Sequence, residues 1–250
     1  MSTNTPHHRP GRFADYGELI HLQEKYIVKQ RQDLLALLPT NITFKSIIEF
    51  GCADGTNLTF FSEKLNIPQN QSYGVDICSS KETQNNKFKF FHQSIENFLT
   101  ENNISFDLIL LSDVLEHIYN PWKILNQIKN KLTTNGIILI SVPNLQNLNY
   151  LDAVNSGEFN YKSSGLFDET HIRFFSLKTL KYYLEELGFR VLNTSFRPDH
   201  SLSHIRQTAN NELLKNNHFD INLNNISIQL NKNNIDLYTG QQVLICAANG

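Results

Sequence analysis

From residue 46 to 142, apolar residues gather in short dense blocks separated by polar, glycine-bearing stretches. Five blocks have strand length: 46–50, 73–76, 87–91, 106–111 and 137–142. The last two are almost purely Ile, Leu, Val and Phe, which predicts strands buried on both faces. Between the blocks, apolar residues recur at helical spacing. Leu58, Phe61 and Leu65 mark a helix over 57–65, and a short one is expected over 95–100. Asn120-Pro121 starts a helix whose stripe is Ile124, Leu125, Ile128 and Leu132, since proline at the first helical position loses no needed donor. Upstream, Leu19, Ile20, Tyr26, Ile27, Leu34, Leu35 and Leu38 predict a helix over 18–38, ended by Pro39. Downstream, Ser176 caps a helix with Leu177, Leu180, Leu184 and Leu187, and Gly188 ends it. Asn135-Gly136 reads as a turn, and 189–195 and 241–247 have strand character. This alternation predicts a doubly wound α/β fold, a mostly parallel sheet with helices on both faces. The pattern fails over 197–238, which is asparagine-rich and reads as an irregular insertion or extended crossover. Residues 1–15 read as a flexible tail and 16–250 as a single domain.

Composition narrows the class. The 250 residues, 40% hydrophobic and 18% charged, allow one domain with a sizeable core and exclude a disordered chain. No apolar run approaches the roughly 18 residues of a membrane span. The polar start, with Pro6 and Pro10, lacks the apolar core of a signal peptide. Cys52, Cys78 and Cys246 are odd in number and lack metal-ligand spacing, so they read as reduced thiols of a cytoplasmic protein. A net charge of -2 gives no electrostatic reason to expect a nucleic-acid partner. Oligomeric state is left open.

The chemistry begins where the strand at 47–50 meets Gly51-Cys52-Ala53-Asp54-Gly55-Thr56. Glycines at 51 and 55 let the chain turn tightly and approach a ligand. Asp76 closes the next apolar block, 21 positions after Gly55. That is the separation expected between a nucleotide-binding turn and a carboxylate that accepts from both ribose hydroxyls. The pattern points to a nucleoside-containing cofactor. His117 and His171 are candidate general bases, because imidazole exchanges a proton near neutrality. A nicotinamide-dependent oxidoreductase shares the turn and the acid, and Tyr119 and Lys123 match the Tyr-x-x-x-Lys spacing of short-chain dehydrogenases. Pro121 between them obstructs the continuous helix that such a pair needs. A non-catalytic protein that keeps a cofactor pocket is the other alternative.

Four segments carry a family resemblance: Ile48-Glu49-Phe50-Gly51-Cys52-Ala53-Asp54-Gly55, Gly74-Val75-Asp76, Phe106-Asp107-Leu108-Ile109 through Ser112-Asp113-Val114-Leu115-Glu116-His117, and Gly136 through Ser141-Val142-Pro143-Asn144. In order and separation they resemble the class I S-adenosylmethionine-dependent methyltransferases, over roughly residues 30–195. Asp168-Glu169-Thr170-His171-Ile172-Arg173-Phe174-Phe175-Ser176 resembles a bacterial subgroup linked to cell-surface polysaccharide synthesis. The resemblance implies a seven-stranded sheet with an antiparallel last strand, and S-adenosyl-L-methionine as cofactor. It implies methyl transfer to oxygen or nitrogen of a small molecule, with a sugar or glycan precursor as first choice and a lipid-like or quinone-type metabolite as second. It assigns the turn residues Gly51, Cys52 and Gly55 to the cofactor. Glu49 would orient the methionine part, Asp76 would hold the ribose, and Ile77 would cover the adenine. Ser94 and Ile95 fall at the adenine edge, where Ser94 replaces the usual acid and is equally suited to cap a helix. Asp113 falls near the methionine end, with helix capping as its alternative role. Ala53 stands where the family usually has a middle glycine. The segment around His171, Arg173, Phe174 and Phe175 would cover the acceptor pocket. No metal is expected, since Asp113, Glu116 and His117 read as a strand-to-helix junction.

Overall fold

The computed structural model describes residues 30–78, 87–223 and 226–250. Seven strands form one sheet: β1 (Ile47–Phe50), β2 (Ser72–Asp76), β3 (Lys89–His92), β4 (Phe106–Ser112), β5 (Leu132–Pro143), β6 (Phe189–Pro198) and, last in the chain, β9 (Gly240–Asn249). Their order is β3-β2-β1-β4-β5-β9-β6. The pairs from β3 to β5 are parallel, and β9 lies antiparallel between β5 and β6. The doubly wound fold with an antiparallel last strand is therefore present as expected.

The dense apolar blocks become double-sided strands because successive side chains point to opposite faces. Ile48, Phe50, Ile109, Leu111, Ile138 and Ile140 pack on one face. There they meet Phe98 and Leu99 of α3 (Ile95–Glu101), Ile124, Leu125 and Ile128 of α4 (Pro121–Lys129), and Leu180 and Leu184 of α6 (Leu177–Glu186). Ile47, Leu108, Leu110, Ile137 and Leu139 pack on the other face, against Leu34 of α1 (Gln32–Leu35) and Leu58, Phe60 and Phe61 of α2 (Thr56–Lys64). Asn120 caps α4 with Pro121 at its first position, and Ser176 caps α6 before Gly188 turns away with φ 81°.

Three expectations change. Of the helix predicted over 18–38, residues 18–29 lie outside the described residues, and the remainder is the single turn of α1 followed by turn hydrogen bonds up to Leu38. Asn135-Gly136 is not a break, because β5 already pairs through Leu132 with Phe106 and continues past it. A register shift between Phe106 and Leu108 absorbs the irregularity, and a Cβ on Gly136 would come 3.0 Å from the Phe106 carbonyl. Third, α5 (Leu148–Ser156) was absent from the sequence reading; Asn147 caps it.

Within the stretch assigned to an irregular insertion, 197–238, the chain forms α7 (Ser203–Leu213), the hairpin of β7 (Phe219–Leu223) and β8 (Ile226–Leu230), and the start of α8 (Ile235–Thr239). These bury a small cluster of their own, Ala209, Leu213, Leu230 and Ile235. Buried Asn144 and Asn147 tie the crossover to the sheet by donating to the Gly240 carbonyl at 2.9 Å each. Among the described residues no helix is long and apolar enough to cross a membrane.

Candidate active site

The carboxyl ends of β1, β2 and β4 meet at one edge of the sheet, and the polar side chains collect there, as in open α/β sheets generally. Gly51 leaves β1 with φ 69° and donates its N–H to the Val75 carbonyl at 2.8 Å. A Cβ on Gly51 would lie 2.6 Å from Val114, so the turn can close only on glycine. Gly55, with φ 76°, supplies the left-handed start of α2. Between them Ala53 is held at φ 47°. The backbone conformation suited to the missing glycine is thus retained at a cost of about 1–2 kcal/mol.

Asp76 accepts the Ala53 N–H at 2.8 Å through one oxygen and the Cys78 N–H at 2.9 Å through the other. Each oxygen keeps a further lone pair for a ligand. Burial raises the Asp76 pKa above the ordinary carboxylate value, against these N–H donors. Glu49 is 2% exposed. Its Oε1 accepts from Asn57 at 2.6 Å, while Oε2 is buried without a partner among the described residues. Burial pushes its carboxyl up to about 8.

Asp113 does not cap a helix; the 3-10 turn Leu115–His117 follows Val114 with no side-chain cap. Instead Asp113 sits at φ 57° and joins three parts of the chain. It accepts from Ser141 of β5 at 2.9 Å, from Gln242 of β9 at 2.7 Å and from Arg31 at 3.2 Å. Arg31 is 5% exposed and also bonds Asp33 and Ser141. Burial opposes its charge, yet Asp113 and Asp33 hold its pKa above the ordinary value. The sequence reading missed Arg31, Asn57, Ser141 and Gln242. No local pattern singles them out, because they converge only across the sheet.

Ile77 is 41% exposed and so is not a core residue, which leaves its face open for a flat ligand. Ser94 caps α3, accepting the Asn97 N–H at 3.2 Å, and Ile95 packs partly against the core. Cys52 is buried, and burial raises its thiol well above the ordinary value, so it contributes backbone rather than chemistry.

His117 and His171, 54 positions apart in sequence, lie with ring centroids 5.0 Å apart. Ile172 and Arg173 donate their N–H groups to the Glu116 carbonyl at 2.9 and 3.0 Å, which pins the His171 loop to the turn carrying His117. The hydroxyl of Thr170 donates to Asp168 at 2.6 Å and so can only accept from Nδ1 of His117, at 3.0 Å. Nδ1 therefore carries the proton, and Nε2 keeps a lone pair. Burial lowers the pKa of both histidines, and each stays neutral near pH 7. Arg173 is engaged locally, bonding the Ile172 and Tyr119 carbonyls and lying over the Tyr119 ring. Phe175 does not face a pocket; it is 1% exposed in the main core. Next to the histidine loop, Tyr150, Phe159, Phe167 and Phe174 form an aromatic cluster. Tyr150 also borders a groove of about 520 Å³ with Leu145, Leu151, Val154, Asn155 and Ile226.

A glycine turn between two strand-end acids, on a sheet whose last strand is inserted antiparallel, is the architecture of the S-adenosylmethionine-dependent methyltransferase fold. Residues 20–194 match the family model of the methyltransferase domain, and the chain belongs to that family. Membership of that family counts against the nicotinamide alternative; Tyr119, 79% exposed, lies outside α4 in any case. In sequence it is similar to the mitochondrial ubiquinone biosynthesis O-methyltransferase of Dictyostelium discoideum, with 27% identity over 103 residues, covering 41% of this chain and 32% of that protein. It is also similar to the ubiquinone biosynthesis O-methyltransferase of Rickettsia bellii, with 25% identity over 123 residues, covering 48% of this chain and 50% of that protein. The matched region thus covers only about a third to a half of these relatives' length. In structure it resembles a SAM-dependent methyltransferase from Archaeoglobus fulgidus, with a TM-score of 0.59, 21% identity, and 94% and 100% of the two chains covered.

Proposed function

We propose that this chain transfers the methyl group of S-adenosylmethionine to a hydroxyl oxygen of a small molecule, with the cofactor lying across the carboxyl ends of β1, β2 and β4. One observation carries the placement. Glu49 and Asp76 end adjacent strands on either side of the Gly51–Gly55 turn, and the buried Oε2 of Glu49 lacks a partner. The residues fit the cofactor, since an ammonium group would satisfy Glu49, two ribose hydroxyls would use the remaining lone pairs of Asp76, and Ile77 would cover the adenine. Gly51, Cys52 and Gly55 supply close backbone, Asp113 borders the methionine end, and Ser94 and Ile95 bound the adenine edge. When bound, the cofactor supplies an electrophilic methyl carbon. Glu49, Asp76 and Asp113 would hold that group at the strand ends, and His117 and His171 would line the face open to the acceptor. Orientation of the reactants accounts for about 7–11 kcal/mol. A general base adds about 10²–10⁴-fold, or about 3–5 kcal/mol. The acceptor proton is given up at the His117–His171 side, where Nε2 of His117 offers its lone pair.

The acceptor is a sugar or glycan precursor on the strength of the 168–176 segment. A quinone-type aromatic acceptor is the second reading, favoured by the aromatic cluster around Tyr150 and by the names of the relatives. The three unpaired cysteines support a cytoplasmic setting. Formation of S-adenosylhomocysteine is measured with a panel of nucleotide sugars and a panel of polyprenylated catechols. Turnover confined to one panel selects the acceptor class. A His117→Ala/His171→Ala variant is expected to retain S-adenosylhomocysteine binding and lose turnover. Full turnover in that variant would remove both histidines from the reaction.

A further inference from the structure

Glu116 is 1% exposed, and both its carboxyl oxygens are buried without a hydrogen-bond partner among the described residues. Unmatched burial of a carboxyl is costly. The turn does not require it, because it is the backbone carbonyl of Glu116 that accepts from Ile172 and Arg173. Two imidazoles face the carboxyl. One ligand-type atom from each of Glu116, His117 and His171 lies within 4.8 Å of the others. Thr170 fixes the His117 tautomer so that Nε2 is an electron-pair donor. Nδ1 of His171 is likewise buried without a partner among the described residues. Three side chains of metal-ligand type therefore converge with no hydrogen bond among them in the described residues.

We propose that Glu116, His117 and His171 form a binding site for a divalent transition-metal ion of the zinc type, on the acceptor side of the methyl-transfer cleft. Two imidazoles and one carboxylate select such an ion over magnesium or calcium, which take oxygen ligands. Bonds of about 2.0–2.2 Å put tetrahedral neighbours about 3.4 Å apart, so small side-chain rotations close the observed cluster. The Asp168–Thr170–His117 chain of hydrogen bonds orients one ligand ring, the arrangement that commonly backs a metal-binding histidine. Three protein ligands leave a position open. With the ion bound, the Nε2 lone pair of His117 would be given to the metal, so an acceptor hydroxyl entering the open position would release its proton to solvent instead, and its oxygen would bond the methyl carbon as the C–S bond breaks and S-adenosylhomocysteine leaves. This last role rests on the methyl-transfer reading; the binding itself does not.

His7 and His8, neighbours in sequence, are of a residue type that would compete for the ion, so a His7→Asn/His8→Asn protein serves as reference. After chelator treatment it is titrated with zinc chloride by calorimetry, and with cobalt(II) for visible ligand-field bands. One tight equivalent and intense low-coordinate cobalt bands are expected. Binding about a hundredfold weaker is expected in Glu116→Gln and in His171→Asn, and about tenfold weaker in Thr170→Val. No tight equivalent in the reference protein, or unchanged affinity in both Glu116→Gln and His171→Asn, overturns the proposal. S-adenosylhomocysteine is titrated into the same samples. Cofactor binding without metal binding refutes the ion alone, whereas metal binding without cofactor binding refutes the cleft alone.

Discussion

Replacing Glu49 with glutamine separates charge from shape at the centre of the proposed cofactor cleft. The carboxyl is fully enclosed, and burial, only partly offset by the hydrogen bond from Asn57, pushes it up to about 8. Its folded value is above its ordinary value of 4.5. Below that value both states are protonated; as pH rises from there to about 8, the unfolded chain releases this proton and the folded chain keeps it. Stability therefore falls across this window and levels off above it. At 1.36 kcal/mol per pH unit the full depth is about 5 kcal/mol. Glutamine keeps an acceptor for Asn57 and cannot ionise. Denaturant melts at about pH 5 and about pH 8 should then show Glu49→Gln without the slope, overtaking the natural protein by up to about 5 kcal/mol at the higher pH. Cofactor binding reverses the preference, because a cation beside Glu49 favours the carboxylate. Affinity for S-adenosylhomocysteine should rise by up to about tenfold per pH unit between about 6 and 8 in the natural protein, with a proton released on binding. Calorimetry in buffers of different ionisation enthalpy counts that proton. Equal pH slopes in the two proteins, in stability and in binding, would refute the assignment of Glu49.

Asp76→Ala should weaken cofactor binding by about ten- to a hundredfold, since a hydrogen bond to a charged group is worth roughly 1.5–3 kcal/mol; calorimetry reads it. Arg31→Met leaves the partly exposed Asp113 and Asp33 without their buried cation and should destabilise the fold by about 1.5–3 kcal/mol, seen as a lower denaturant midpoint. Gly55→Ala places a Cβ on a residue at φ 76° and against the Phe88 ring, and should cost about 1–3 kcal/mol by the same measurement. A midpoint unchanged in either variant would contradict the packing described for it.

What the sequence alone determined is what depends on near neighbours. The alternation of two-sided strands with amphipathic helices, the caps Asn120 and Ser176, and the glycine turn followed by Asp76 were all legible because their physics is local: side-chain periodicity, backbone φ and terminal hydrogen bonds. Asparagine-rich 197–238 was not legible, because its helix and hairpin hold together through a cluster drawn from three separate elements: Ala209 and Leu213 of α7, Leu230 of β8 and Ile235 of α8. Only the tertiary structure brought Arg31, Ser141 and Gln242 onto Asp113, and His171 beside Glu116 and His117. Those contacts join residues up to 129 positions apart. A strand-end carboxylate looks the same in sequence whether water or a buried guanidinium faces it. The sheet order decides which, because inserting β9 between β5 and β6 carries Gln242 to the edge where Asp113 waits.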